Sequence, residues 1–350
     1  MLRHWDERPF ADVLAEHGLA GLPETPFPND GWSGATLTQV RRGAEAFVIK
    51  RTSWAQDWIA RATRDHALRE GFVASGQLPL PDPLVAPYLG AGADGTAVAM
   101  LMPDLSDALI TWERPDGSPT LTAATLDRVV DGLVRLHAMP LDDLPEVGGA
   151  GRRPWCPLPE RLTLLSRPSA ERFQTDGVAA GSRFLAGWAA FDRYAPAAAC
   201  DLVDRLADDP TPLLGALARL PDALLHGDLK VANVALLDAG RLALIDWQMV
   251  SRAPVAVELG WLLVSNTGAL PVGPLEVVRR YLAAAERARD VPIGDADAQL
   301  DLTWIVGLLL RGWRKGLDTD AGLRHAWGIP AADDLAWWCV RAVEAADRRL

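Results

Sequence analysis

Three side chains in the stretch LLHGDLKVANVALLDAGRLALIDWQMV, residues 224–250, have the types and spacing to do chemistry. Asp228 stands in His226-Gly227-Asp228, Asn233 follows five residues later, and Asp246 ends an apolar run that starts at Leu242. Val234 to Leu237 is a second apolar run, and Asp238-Ala239-Gly240 between the two is a turn signal, so the segment reads as a hairpin. Two carboxylates and an amide thus sit at the ends of short apolar strands, where polar groups need a reason to be. Phosphoryl transfer wants this set: a carboxylate to orient or deprotonate an attacking hydroxyl, and oxygen ligands for Mg²⁺ beside phosphates. Asp228 fits the first role; Asn233 and Asp246 fit the second. Turn or capping roles for the two aspartates are the competing reading.

The ordered set HGDLKVAN, hairpin, LIDW resembles the aminoglycoside phosphotransferase and choline kinase group of small-molecule kinases. Protein kinases usually carry His-Arg-Asp and Asp-Phe-Gly where this chain has His226-Gly227-Asp228 and Asp246-Trp247-Gln248. The resemblance is strong over about residues 224–262 and weaker elsewhere. It implies a bilobal protein-kinase-like fold of the α+β class, with a small β-rich N-lobe and a larger, mainly helical C-lobe. It also implies ATP or GTP with Mg²⁺ as donor and a small hydroxylated acceptor. Glu258 stands where the family usually carries an Asp that braces the catalytic loop from below, which leaves that contact open. His226 is read as a loop-stabilising hydrogen-bonder, and Lys230 as a residue able to touch the γ-phosphate or simply lie at the surface.

The elements that must position these groups lie upstream. Gly31-Trp32-Ser33-Gly34-Ala35-Thr36 reads as a glycine-containing loop between strands, and small residues such as Ser33 and Gly34 let backbone N–H groups approach phosphates. It is not a full G-x-G-x-x-G, and an ordinary hairpin is the alternative. Phe47-Val48-Ile49-Lys50 is a strand whose Lys50 resembles the nucleotide-binding lysine of kinases. A helix is expected over residues 54–75, with Glu70 the candidate partner for Lys50 and Asp65 the fallback. Residues 90–95 are expected as a loop and 96–102 as a strand. Met102-Pro103-Asp104 then resembles the hinge against which adenine sits, with Met102 and Asp104 as nucleotide-side candidates; a helix cap is the alternative for Asp104. These readings divide the chain into a nucleotide-binding lobe, 1–103, and a catalytic and substrate-binding lobe, 104–350.

Periodicity predicts an amphipathic helix at 6–17 with Asp6 as its cap, and another at 121–139 capped by Thr122 and ending in a packed His137. A Pro/Gly-rich loop is expected over 140–159, and helices near 160–167, 178–194, 198–207 and 212–219. Further helices are expected from Val255 and over 274–290, 295–313, 320–327 and 332–348. Only about eight residues, 247–254, separate the metal-loop motif from the Val255 helix, too few for a protein-kinase activation segment.

The totals bound the alternatives. The 350 residues are 49% hydrophobic and 23% charged, as in a large globular protein. A net charge of −11 argues against a nucleic-acid partner. Three cysteines without a C-x-x-C suggest neither a disulfide framework nor a zinc site, and fit a cytoplasmic protein. The first ten residues lack the apolar stretch of a signal peptide, and the apolar segment Leu302 to Leu310 is too short to span a bilayer. Most of the 14 tryptophans are expected in the core. The reading is a small-molecule O-phosphotransferase acting on an aminoglycoside or related antibiotic, an aminoalcohol or a sugar. Its alternatives are a nucleotide-binding regulatory module without turnover and a protein kinase. Asp318 and Asp320 are candidates for an acidic acceptor pocket.

Overall fold

The computed structural model describes residues 5–28, 31–111, 121–142 and 155–350. In chain order its elements are α1 (Phe10–Glu16), β1 (Glu24–Pro26), β2 (Thr36–Arg42), β3 (Glu45–Thr52), α2 (Trp58–Ala62), α3 (Arg69–Phe72), β4 (Leu84–Val85), β5 (Gly90–Asp94), β6 (Ala97–Pro103) and α4 (Ala123–His137). Then come α5 (Leu158–Thr163), α6 (Arg167–Thr175), α7 (Ala179–Tyr194), α8 (Ala197–Asp208), α9 (Thr211–Leu217), β7 (Ala223–Leu225), β8 (Val234–Leu236), β9 (Leu242–Leu244) and β10 (Ser251–Ala253). The last helices are α10 (Val255–Asn266), α11 (Pro274–Ala288), α12 (Ala296–Asp320) and α13 (Ala331–Arg349). The fold is α+β and protein-kinase-like. Two compact units are distinguished: residues 1–109, 140–156 and 233–250 in one, and 110–139, 157–232 and 251–350 in the other.

The first unit is built on an antiparallel sheet in the order β1-β2-β3-β6-β5. Alternation along β3 and β6 gives the sheet two different faces. Phe47 and Ile49 of β3 join Ala99 and Leu101 of β6 in one core, where Phe10 and Val13 of α1 cover them. Val98 and Met100 face the other way, into a cluster with Ala60, Leu68 and Ala74. Lys50, one residue on from Ile49, therefore points to the side covered by the helical segment after β3. A second, three-stranded sheet pairs β4 parallel to β9 and β9 antiparallel to β8.

Several expectations are corrected in this unit. The helix expected over 54–75 is broken: α2 and α3 are separated by Arg64 and Leu68 in left-handed backbone, and a wide single turn follows at Val73–Gln77. The sequence carries two caps in that span. Asp57 caps α2 by accepting the amide of Ala60, and Asp65 accepts the amide of Arg69, the first residue of α3, through both oxygens, so each helps to start a separate helix. Residues 90–94 are a strand, not a loop, because β6 supplies a full antiparallel partner. Gly92 is needed there: a Cβ would lie 2.8 Å from the Phe10 backbone, so only glycine lets α1 approach. The first helix starts at Phe10 after Pro9, and Asp6 belongs to a separate turn of 3₁₀ helix, so it caps nothing in α1.

In the second unit α12 packs against α7, α10 and α13. All twelve residues of α10 are buried. Trp188, Trp313 and Trp338 are fully buried here, so these three of the abundant tryptophans are core. Thr122 caps α4 through the Thr125 amide, and His137 at its end bonds Tyr281 Oη at 2.7 Å. Burial depresses the His137 pKa to about 3, which fits a packed neutral imidazole. The helix expected at 320–327 is absent: α12 runs on to Asp320, Gly322 turns the chain at φ 63°, and Arg324 bridges Pro330. Residues 143–154 of the expected Pro/Gly-rich loop lie outside the described residues. The three cysteines are free thiols. Among the described residues no helix is long and apolar enough to cross a membrane.

Candidate active site

In the first unit, β3 carries Lys50 to the middle of the sheet, opposite Leu37 of β2 and Met100 of β6. Its amine lies 2.6 Å from Glu70 Oε2 and 2.7 Å from Asp246 Oδ1. Burial works against the ammonium, but the two carboxylates outweigh it and hold the amine above the ordinary lysine range. Asp65, the fallback partner, is spent on the start of α3, where it accepts the Arg69 amide and pairs with the Arg69 guanidinium. Tyr88, which lies in none of the sequence motifs, has a structural part in this cluster. Its hydroxyl donates to Glu70 Oε1 at 2.6 Å and accepts the Asp246 amide at 3.1 Å. Burial and the adjacent Glu70 keep its phenol protonated well above the usual range.

The hairpin positions the two metal candidates. The Ile245 amide donates to the Asn233 carbonyl at 3.1 Å, continuing the β8–β9 ladder and placing Asn233 beside the residue that precedes Asp246. Asp246 has φ 67°, the left-handed region that Asp tolerates better than most residues and that collects at functional turns. Arg69 Nη1 donates to the Gln248 carbonyl at 2.9 Å and steadies the turn that follows. No cluster of three or more His, Cys, Asp or Glu suited to a metal occurs among the described residues. One carboxylate and one amide oxygen fit Mg²⁺ better than zinc, since Mg²⁺ takes few protein oxygens and completes its shell with phosphates and water.

Ser33 and Gly34 have structural duties of their own. The Ser33 carbonyl accepts the Trp58 amide at 3.0 Å, and Gly34, at φ 99°, presses on Gln56, whose carbonyl oxygen would lie 2.5 Å from an added Cβ. Met102 is buried in β6 opposite Val48. Asp104 caps a turn by accepting the Ser106 amide and hydroxyl, and it also accepts Gln39 Nε2 at 2.8 Å.

The second unit holds the His226-Gly227-Asp228 loop just after β7, and three buried side chains brace it. Both oxygens of Glu258 accept the Gly227 amide, at 3.2 and 3.1 Å. Arg161 donates from Nε and Nη2 to the Gly227 carbonyl. Asn266 Oδ1 accepts the Val231 amide at 2.8 Å, while its Nδ2 donates to the Leu229 carbonyl. His226 Nδ1 accepts the Asp228 amide at 3.2 Å, a loop-forming contact. Lys230 Nζ lies 3.2 Å from Asp228 Oδ2. Glu258 is fully buried, and burial pushes its carboxyl up to about 7 against the opposing pull of the loop amides and Arg161. Arg161 and Asn266 are absent from the sequence reading: neither lies in a motif, and only the folded loop shows that they end on its backbone. Asp318 and Asp320, the acidic-pocket candidates, are both matched by arginines. Asp318 binds Arg314 Nε at 2.8 Å, and Asp320 binds Arg193 and the Tyr194 hydroxyl.

The model of the phosphotransferase enzyme family matches residues 25–293, a span that includes Lys50, Glu70, Asp228, Asn233, Asp246 and Glu258. The chain belongs to that family. No curated protein matches this phosphotransferase in a whole-sequence comparison. Among solved structures it is similar to the amicoumacin kinase complexed with AMP-PNP and Ca²⁺, at 12% identity, with 96% of this chain and 93% of that one covered and a TM-score of 0.50. It is also similar to the choline kinase of Streptococcus pneumoniae, at 12% identity, 96% and 99% coverage and a TM-score of 0.48. An aminoglycoside-3'-phosphotransferase of type VIII shares 20% identity over 86% of this chain and 98% of that chain, with a TM-score of 0.44. The likeness to the amicoumacin kinase is one of fold.

Proposed function

We propose that this phosphotransferase moves the terminal phosphoryl group of ATP or GTP to a hydroxyl of a small molecule. Aminoglycosides and related antibiotics, aminoalcohols and sugars are the acceptor classes to be tested. The observation that carries the reading is Lys50 held at 2.6 Å from Glu70 and 2.7 Å from Asp246, residues 20 and 196 positions away in the chain. A buried strand lysine fixed by a helix carboxylate is the arrangement that orients donor phosphates in kinase-like folds.

Asp228 would accept the acceptor's hydroxyl proton as the new O–P bond forms. The bond from the γ-phosphorus to the β,γ-bridging oxygen breaks, and the nucleoside diphosphate leaves with that electron pair. Lys50 would hold donor phosphate oxygens, and Lys230, beside Asp228, would meet the phosphoryl group in transfer. Asn233 and Asp246 would hold Mg²⁺, which supplies charge neutralisation for the phosphates. Glu258, Arg161 and Asn266 keep the loop that bears Asp228 in one conformation, which matters because positioning supplies most of the catalysis in this reaction class. The residues after Asp246 leave no room for a peptide platform: a 3₁₀ turn at Trp247–Met249 and β10 lead directly into α10 at Val255. This disfavours a protein acceptor.

The test is Mg²⁺-dependent transfer from ATP, and separately from GTP, to a panel of those acceptors, read by product mass, with Asp228→Ala alongside. A phosphorylated product that vanishes in the variant supports the reading. Absence of any nucleotide binding by the intact chain overturns it.

A further inference from the structure

Arg311 sits within α12, where it breaks the helical backbone at φ −143°, ψ 24°. Its guanidinium lies 5.2 Å from the ring centres of both Trp261 and Trp313. Nη1 donates to Ser265 Oγ at 3.1 Å. Nε is buried without a hydrogen-bond partner among the described residues, and so are the indole nitrogens of Trp261 and Trp313. Arg311 also has no carboxylate within ion-pair distance among the described residues, although its neighbours Arg314 and Asp318 pair with each other at 2.8 Å. Arg161 lies against the same Trp261 ring at 4.2 Å and reaches the Gly227 carbonyl, one residue before Asp228.

Buried cations are normally paired, and a buried donor left unmade is costly. Here one cation and three N–H groups share a small region of the second unit. Packing alone does not ask for that set, because leucine or phenylalanine would fill the same volume without the desolvation cost. An oxyanion is the ligand type that suits such a set, since it brings negative charge and several acceptor lone pairs together. Burial and the nearby Arg314 pull the Arg311 pKa down to about 10, while Asp228 and Asp318 act in the opposite sense. The guanidinium thus rests on two indole faces and one hydroxyl, with no carboxylate in ion-pair range among the described residues.

We propose that Arg311, with the Nε1 groups of Trp261 and Trp313, binds an anionic group of the acceptor, a carboxylate or a phosphate, while Asp228 takes its hydroxyl. This rests on the reading of Asp228 as the group that meets the acceptor, and it narrows the acceptor to hydroxy acids or phosphorylated alcohols. The pairing of Asp318 and Asp320 with arginines runs the same way, because a polycationic acceptor would need carboxylates left free for it.

The experiment uses the full chain saturated with MgADP, so that the nucleotide side is filled. Glycerate and glycerol 3-phosphate, with ethanolamine as the cationic control, are titrated at constant ionic strength and followed by tryptophan fluorescence and calorimetry. Saturable binding of glycerate, of glycerol 3-phosphate or of both is expected, and the two arms separate a carboxylate from a phosphate preference. Arg311→Gln is expected to weaken that binding by about tenfold or more, the loss that follows from a charged hydrogen bond. Arg311→Lys is expected to restore part of it, and Trp313→Phe, which keeps the packing and removes one donor, to weaken it by a smaller factor. Absence of saturable anion binding, whether or not ethanolamine binds, overturns the proposal, as does anion binding that Arg311→Gln leaves unchanged. Failure of MgADP to bind would overturn the kinase reading separately, and the same anion titration without nucleotide would still decide the role of Arg311.

Discussion

Both carboxylate oxygens of Glu258 accept the amide of Gly227, at 3.2 and 3.1 Å. The longer arm of Glu, in place of the Asp usual in the family, reaches the loop that bears Asp228 and makes the bracing contact. It does so from a fully buried position, so the contact carries a charge cost that depends on pH.

Burial raises the Glu258 carboxyl to about 7 from an ordinary 4.5, so between these values the folded chain binds more protons than the unfolded one. The contribution of Glu258 to stability is therefore present at low pH and declines as pH rises toward 7, by on the order of 3 kcal/mol in all. Glu258→Gln, which cannot ionise, is expected to gain stability relative to the parent as pH rises from 4.5 to 7. Paired urea melts across that window check this; a pH-independent difference would show that Glu258 does not titrate in it.

Asp228→Asn keeps the shape of the side chain and removes the base. Phosphate transfer is expected to fall by about 10²–10⁴-fold, the usual range for a lost general base. Nucleotide affinity measured by calorimetry is expected to change far less. An equal fall in both would place Asp228 in donor binding instead.

Lys50→Met removes the ammonium between Glu70 and Asp246 and leaves a buried carboxylate without its partner. Breaking such a pair costs about 3–5 kcal/mol, whereas neutralising both partners costs much less. The single variant is expected to be strongly destabilised and to bind nucleotide weakly. Lys50→Met with Glu70→Gln is expected to recover stability without recovering nucleotide affinity. Denaturant melts and nucleotide titrations separate the two effects.

Asn266→Ala takes the partner from the Val231 amide and the Leu229 carbonyl, both in the loop after Asp228. A loss of about 1–3 kcal/mol in stability is expected, as for any buried donor left unmade. Transfer activity is expected to fall while the midpoint for MgADP binding stays near that of the parent.

Gly34→Ala tests whether the loop glycine is held by packing. An added Cβ would sit 2.5 Å from the Gln56 carbonyl oxygen at φ 99°, so a stability loss greater than about 1 kcal/mol is expected even without nucleotide. A variant as stable as the parent would show that this loop yields.

By itself the sequence determined which side chains are candidates for the chemistry. His226-Gly227-Asp228, Asn233 and Asp246 announce themselves because short apolar runs and turn residues are local patterns, and local patterns fix which side chains end a strand. The same holds for β3 with its Lys50, although the strand runs on to Thr52, and for α10 and α13. What failed were places where a cap or a partner overrode periodicity. Asp57 and Asp65 broke one expected helix into pieces, and β6 turned a glycine-rich stretch into β5. Only the tertiary structure decided which polar groups meet. Tyr88 joins Glu70 to Asp246, Glu258 reaches Gly227, and Arg161 and Arg311 flank one indole, in pairs separated by up to 158 residues. Such contacts leave no periodic trace in a chain, because they follow from how buried faces pack and from the requirement that buried polar groups find partners there.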